Sequence, residues 1–255
     1  MNNSIPCIFY FLLLGNTLFA FTQNADSTKG ITNFSGNISV TNNGISFIPS
    51  FSLEKPALIF DLSAGRRLAF EPQLRFALEG KPWSFIFWWR YRIVPDKRFR
   101  ITIGAHPALS FKTLTITTNN VTKEAIVSSR YLAGEVAPNY RITDNINIGV
   151  YYLYAYCLET AVIKHTHFLT LNSNISGIRL MRFVSMRIAP QVYYLKMGRN
   201  DGYYFSTSIA FTIKDIPLSA SLLFNKNIKT TVPGSKDFIW NASLVYSFRN
   251  SYRRL

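Results

Sequence analysis

Arginines and carboxylates recur at every second position in three consecutive stretches of this chain, and that spacing sets the chemistry it can do. Arg67, Glu71, Gln73, Arg75 and Glu79 are all odd-numbered in the first stretch, Arg90 and Arg92 even-numbered in the second, and Arg98, Arg100, His106 and Lys112 even-numbered in the third. On an extended backbone, residues two apart lie on the same face, so each stretch presents a charged side and an apolar side. Asp61, Glu135 and Arg187 extend the charged side onto other segments. Arg67, Arg75, Arg90, Arg92, Arg98, Arg100 and Arg187 thus form a candidate basic wall, with Asp61, Glu71, Glu79 and Glu135 as its acidic members. Three readings of this wall stay open: a solvated rim of arginines, a salt-bridged plug, or an anion site. A tight turn at Pro95-Asp96-Lys97 would place Arg90 and Arg92 opposite Arg98 and Arg100. Like charges directly opposite are unfavourable without water, counter-ions or carboxylates.

The other reactive residue types do not assemble. His165 and His167 lie two apart on one face, the spacing of a two-ligand metal site, but that face is the apolar one and no third ligand is evident. Ser173 is on the same side, six residues from His167, or roughly 20 Å along a strand. That separation does not make a nucleophile and base pair. His106 reads as a polar lining residue. No P-loop, dinucleotide fingerprint, zinc-spaced cysteines or nucleophile elbow occurs, so no catalytic residue, metal or cofactor is assigned.

The elements that must carry these faces are strands. Period-two alternation recurs in segments from Ile45 to Phe248, and twelve can be counted. In Trp83-Ser84-Phe85-Ile86-Phe87-Trp88-Trp89-Arg90-Tyr91-Arg92-Ile93 the odd positions all suit lipid, while Ser84, Arg90 and Arg92 take the other side. Phe238, Trp240, Ala242, Leu244, Tyr246 and Phe248 alternate with Asn241, Ser243 and Ser247 in the last segment. Apolar residues outside and arginines within are the pattern of a transmembrane β-barrel. The expected fold is therefore all-β, a closed antiparallel barrel of about twelve strands.

Residues 1–20, with apolar runs Ile8 to Leu14 and Leu18 to Phe21, read as a signal peptide. Residues 21–43 read as a periplasmic segment or an extension of the first strand, 44–248 as the barrel, and 249–255 as a C-terminal tail. Ser35, Asn37, Ser39 and Thr41 are odd-numbered, whereas the serines of a first strand at Ile45 to Leu53 are even. A bulge at Asn42-Asn43-Gly44 is the favoured explanation. Cys157 is the only cysteine after the leader, so no intramolecular disulfide forms. The net charge of +15 is spread singly along alternating segments, which argues against nucleic acid as a partner.

Connections support the count by alternating in length. Pro95 to Lys97, Thr143 to Asn145 and Asp215 to Pro217 are tight; Lys112 to Ser128, Leu158 to Lys164 and Lys226 to Asp237 are longer. Short periplasmic turns and longer outer loops are usual in such barrels, and an even strand number puts both termini in the periplasm. Pro49, Pro72, Pro107, Pro138 and Pro190 fall inside the expected strands, where each removes a ladder donor. They are expected at bulges or frayed ends.

The chain resembles outer-membrane β-barrel proteins of the Bacteroidetes type in Ser39 to Gly44, in Gly80-Lys81-Pro82-Trp83-Ser84-Phe85 and in the closing segment Trp240 to Phe248. The resemblance implies location in the outer membrane, contact with its lipid and lipopolysaccharide, and recognition of Trp240 to Phe248 by the barrel-assembly machinery. Seven residues follow Phe248, where the common pattern stops. The first functional expectation is a non-enzymatic pore or structural barrel, with small anions favoured if the lumen is open. Two others stand beside it: a lipid-modifying barrel enzyme of the phospholipase or deacylase type, and a barrel subunit of a secretion or assembly complex that uses Lys112 to Ser128 as its outer surface.

Overall fold

A computed structural model of the chain describes residues 31–253 except 95, 119–120 and 161–162. The expected signal peptide lies outside the described residues. The strands are β1 (Ile31–Thr41), β2 (Ala57–Gly65), β3 (Leu68–Ala77), β4 (Pro82–Ile93), β5 (Phe99–Thr118), β6 (Val121–Arg141), β7 (Ile146–Cys157), β8 (His165–Arg179), β9 (Val184–Met197), β10 (Asn200–Ile213), β11 (Leu218–Thr230) and β12 (Phe238–Arg253). Each pairs antiparallel with its sequence neighbours, and β1 closes on β12 to give a barrel of twelve strands. Closure leaves no edge strand, so backbone donors and acceptors are satisfied around the ring without water, as a lipid environment demands. The end that carries both chain termini is called the terminal end below, and the opposite one the loop end.

The count of twelve matches expectation, but the first strand does not. β1 is Ile31–Thr41, pairing Thr41 with Ala57 on one side and with Ser243 on the other. The stretch Ile45 to Leu53 is not in the wall. It belongs to a loop of residues 42–56 that turns into the lumen and carries a short 3-10 turn, Pro49–Phe51. Pro49 opens the 3-10 turn Pro49–Phe51, where its fixed φ suits the first helical position, and that turn breaks the extended run. The phase flip at Asn42-Asn43-Gly44 marks the exit from the wall rather than a bulge. The barrel span expected at 44–248 is corrected at both ends, because β12 runs past Phe248 to Arg253 and pairs there with Ile31–Ser35. The expected tail 249–255 is mostly strand.

The remaining prolines sit in mid-strand, not at bulges. Pairing between β4 and β5 passes from Ile86↔Ala108 to Trp89↔Ala105 around Pro107, and that between β8 and β9 from Asn172↔Gln191 to Ile175↔Ile188 around Pro190. The ladder is interrupted at the missing donor and the register resumes unchanged; Pro138 and Pro72 do the same between β6 and β7 and between β2 and β3. Lys112 to Ser128, expected as a loop, instead continues β5 and β6 as a paired hairpin up to Thr118↔Val121. It offers a strand ribbon in place of the broad loop surface that an assembly subunit would need.

Outside, the wall is apolar and aromatic. Trp89, Tyr91, Tyr203, Phe205, Phe238, Trp240, Leu244 and Tyr246 are all exposed, as lipid-facing and interfacial side chains must be. Inside, small residues make room for long ones. A Cβ on Gly104 would lie 2.9 Å from Glu135 Oε1 and 3.1 Å from Arg90 Cγ, so glycine is what admits the Arg90 and Glu135 side chains at that height.

Candidate functional site

The first loop is a self-braced knob. Its neck is closed by hydrogen bonds from Gly44 N to Lys55 O (2.8 Å) and from Leu53 N to Gly44 O (2.8 Å). Within it, Ser46 N donates to Ser52 Oγ (3.0 Å) and Phe51 N to Ile48 O (2.9 Å). These bonds satisfy the backbone of a segment that has no ladder, which burial requires. The apolar tip of the knob then packs on inward aromatic side chains at the loop end. Phe47 lies 6.1 Å from the ring of Phe168 and 5.6 Å from that of Tyr193, and Phe51 stands edge-on to Tyr131 at 5.0 Å. Ile48 joins Phe168, Tyr193, Leu195, Met197, Tyr204 and Val232 in the one buried apolar cluster found among the described residues. Burying an apolar side chain of this size stabilises by roughly 1.5–3 kcal/mol, so the knob is held in place by its own composition.

The wall grips the knob as well. Trp83 was expected to face lipid, but a register shift between Arg75↔Ser84 and Phe76↔Pro82 turns it inward, where it is 2 % exposed. Its indole Nε1 donates to Phe51 O at 2.7 Å. At the rim, Lys236 Nζ meets Glu54 Oε2 at 2.7 Å, and Asn241 Nδ2 donates to Asn43 O at 3.0 Å.

Below the knob, toward the terminal end, a charged belt crosses the lumen. Arg90 donates from Nε to Glu135 Oε1 (2.5 Å), from Nη2 to Glu135 Oε2 (3.1 Å) and from Nη1 to Glu71 Oε2 (2.7 Å). Arg92 Nη2 bonds the other Glu71 oxygen, and Ser63 Oγ donates to that same oxygen at 3.2 Å. Tyr151 Oη donates to Glu135 Oε2 at 2.8 Å, and the Arg90 guanidinium lies 4.1 Å from the centre of the Trp88 ring. Two arginines and two glutamates from β3, β4 and β6 therefore neutralise one another. A fully hydrogen-bonded set of this kind tolerates burial where a lone charge would not.

The expected wall residues thus separate into groups. Arg75, Arg90, Arg92, Asp61, Glu71 and Glu135 are on inward positions of β2, β3, β4 and β6. Glu79 lies past the end of β3 at the loop-end rim, paired with Lys55 at 3.4 Å and Lys81 at 3.9 Å. Arg67 is in the β2–β3 turn, where its carbonyl accepts from Arg92 N. Arg90 and Arg92 oppose Gly104 and Thr102, not Arg98 and Arg100; the β4–β5 connection is longer than a tight turn and shifts the register. The expected juxtaposition of four arginines is therefore corrected. Arg98 and Arg100 instead line a polar cavity of about 290 Å³ at the terminal end, together with Lys97, Arg141, Asn139 and Asn147. Asp96 Oδ1, the nearby acid, accepts from the backbone N–H groups of Arg98 and Phe99, both at 2.6 Å.

Charge is distributed unequally between the two ends. Several rim acids at the loop end hold a base: Glu124 with Lys81 at 2.6 Å, Glu159 with Arg130 at 2.8 Å and Asp237 with Lys226 at 3.0 Å, while Asp201 accepts from Tyr194 Oη at 2.9 Å. The hydrogen bond to Glu124 raises the Lys81 amine above its ordinary range, and the one from Arg130 lowers the Glu159 carboxyl. At the terminal end Arg98, Arg100 and Arg187 form no ion pair among the described residues, and the Arg141 pair with Asp144 is stretched to 3.9 Å.

The histidine pair lies outside the barrel. His167 Nδ1 shares a hydrogen bond with Tyr152 Oη (2.9 Å) and His165 Nδ1 with Tyr154 Oη (2.8 Å), which makes an aromatic belt at the loop-end interface. Among the described residues no group of three His, Cys, Asp or Glu side chains is placed to hold a metal. Cys157 is free and buried.

Residues that sequence reasoning passed over are the inward aromatic ones: Phe47 and Phe51 of the knob, Trp83, Trp88, Tyr131, Tyr151 and Tyr193. Trp88 shares the parity of Arg90 and Arg92, a signal that was available in the sequence.

No protein-family model matches the sequence, and none of the curated proteins does. Solved structures match the fold. The KdgM porin in complex with disordered oligogalacturonate aligns with a TM-score of 0.52 at 10% identity, covering 85% of this chain and 99% of that one. An outer membrane channel from Pseudomonas putida F1 aligns with a TM-score of 0.50 at 10% identity, covering 86% and 96%. The chain has the fold of these outer-membrane channels.

Proposed function

We propose that this chain is a non-enzymatic channel protein of the bacterial outer membrane, with both termini in the periplasm, whose lumen is closed down by its first loop. The observation that carries the reading is the cross-section. The barrel is apolar and aromatic outside, polar and charged inside, and a knob of residues 45–52 occupies the inside without belonging to the wall. Connections of at most five residues at the terminal end, against the in-turned loop of residues 42–56 and the β5–β6 hairpin at the other, support the periplasmic assignment of the termini. Affinity with Bacteroidetes-type barrels rests on Ser39 to Gly44, Gly80 to Phe85 and Trp240 to Phe248.

The terminal-end mouth gathers small anions in this reading. Glu71 and Glu135 neutralise Arg90 and Arg92, so the selectivity lever is the uncompensated pair Arg98 and Arg100 rather than the belt. Reversal potentials of purified protein in a planar bilayer under a salt gradient test this. Anion preference, moved toward cations by Arg98→Glu with Arg100→Glu, is the expected result. Cation preference unaffected by both changes would overturn the basic mouth.

A further inference from the structure

A cavity of about 310 Å³ lies between the knob and the charged belt. Phe47, Phe51, Ile86, Trp88, Tyr131 and Phe168 make much of its lining apolar and aromatic. Arg75 of β3 lines it beside Ile86 of β4, and Arg90 and His106 line it as well. Arg75 Nη2 donates to Gln73 Oε1 at 3.1 Å, its Nε has no partner, and its guanidinium lies 5.4 Å from the centre of the Trp83 ring. Arg75 forms no ion pair among the described residues, unlike Arg90 and Arg92, its neighbours in the same lumen. Asp61, the acid whose charge acts on it, stays beyond ion-pair distance, and its Oδ1 has no partner either.

A guanidinium cannot shed its charge, and a charge beside an apolar cavity is costly until an anion meets it. Every other arginine of the inner belt has its carboxylate. The volume is that of a small ligand site, and apolar walls with a few placed polar groups are how such sites fix orientation. Of the two arginines that line it, Arg90 is already held by Glu71 and Glu135, which leaves Arg75 as the charge without a carboxylate. We infer that this cavity binds a small aromatic monocarboxylate, its ring among Phe51, Trp88 and Tyr131 and its carboxylate on Arg75. The planar fork of Arg75 suits a bidentate carboxylate, and the ring faces supply stacking partners. The site goes beyond the channel reading and stands whether or not the lumen conducts, because it is defined by the knob in its closed position.

Binding, not current, is the test, and failure here leaves the channel reading standing. Purified full chain in uncharged detergent is titrated with 3-phenylpropanoate and, separately, with neutral 3-phenylpropan-1-ol, by isothermal calorimetry. Folding of each variant is checked by heat-modifiable gel mobility. The acid should bind saturably and at least tenfold tighter than the alcohol. Arg75→Gln should erase that preference, Arg75→Lys should restore part of it, and Ala108→Trp, which fills the cavity from β5, should weaken both probes. Arg199→Gln, in the β9–β10 turn away from the cavity, should leave the acid's affinity unchanged. Equal affinity of acid and alcohol for the natural chain, a preference that survives Arg75→Gln, or acid binding lost with Arg98→Gln but kept with Arg75→Gln would each overturn the site. If Arg75→Gln fails to fold, unaltered acid binding by Ala108→Trp would overturn it instead.

Discussion

Trp83 gives its indole N–H to the carbonyl oxygen of Phe51 at 2.7 Å, and through that bond the barrel wall holds the loop that fills its own lumen. The bond exists because one register shift, between Arg75 and Phe76 on β3, rotates Trp83 out of the lipid-facing series of β4. A bulge that re-aims a single side chain is a common device near functional elements. Trp83→Phe keeps the packing surface against the knob but leaves the Phe51 carbonyl without its donor. Loss of a buried partner costs about 1–3 kcal/mol, which loosens the knob without unfolding the barrel. Proteolysis of the folded protein at residues 45–52 should become faster in Trp83→Phe, with the heat-modifiable mobility of the barrel retained. Unchanged proteolysis would show that this bond does not hold the loop.

Glu135 anchors the belt. Its side chain is 1 % exposed and takes three hydrogen bonds, two from Arg90 and one from Tyr151. Glu135→Ala leaves Arg90 with Glu71 alone, and removing one partner of a buried pair costs about 3 kcal/mol. Urea denaturation in lipid vesicles should show that loss, and Gly104→Val should reproduce much of it by pushing a Cβ toward Glu135. A double-mutant cycle combining Glu135→Ala with Tyr151→Phe should be less than additive, because both remove the same bond.

Replacement of outward Phe87 or Leu244 by Arg should impair folding, while Arg at inward Ser208 is tolerated. Arginine on the lipid face costs roughly 2–4 kcal/mol at the midplane. Refolding yield in vesicles, read from gel mobility, separates the two outcomes. Equal damage from all three would reverse the assignment of faces.

Most of the wall was legible in the sequence because lipid imposes a strict period of two. From β2 to β12, Trp83 apart, the inward and outward parities follow from reading alternate residues, and Leu244 against Ser243 needs no further information. The first strand was misread for a physical reason. Ile45, Phe47, Phe51 and Leu53 alternate with serines as a strand would, but the apolar surface they seek is the aromatic lining of the lumen, and alternation does not reveal which apolar environment a residue will meet. The belt was legible in composition but not in connectivity: Arg90, Arg92, Glu71 and Glu135 were all assigned inward, whereas their pairing depends on a β4–β5 register set by the length of a turn. Trp83 was beyond reach, since its orientation depends on one bulge.

Conductance of single molecules in planar bilayers, comparing the natural chain with a variant in which residues 45–52 are replaced by a short Gly-Ser linker, tests the channel account most directly. The knob is held by Phe47, Ile48 and Phe51 and by the Trp83 bond, so the natural chain should be closed or nearly so, and the variant should open to a steady conductance several-fold higher, with anions preferred. Equal conductance in the two proteins, with the variant folded, would contradict the assignment of this loop as the element that closes the lumen.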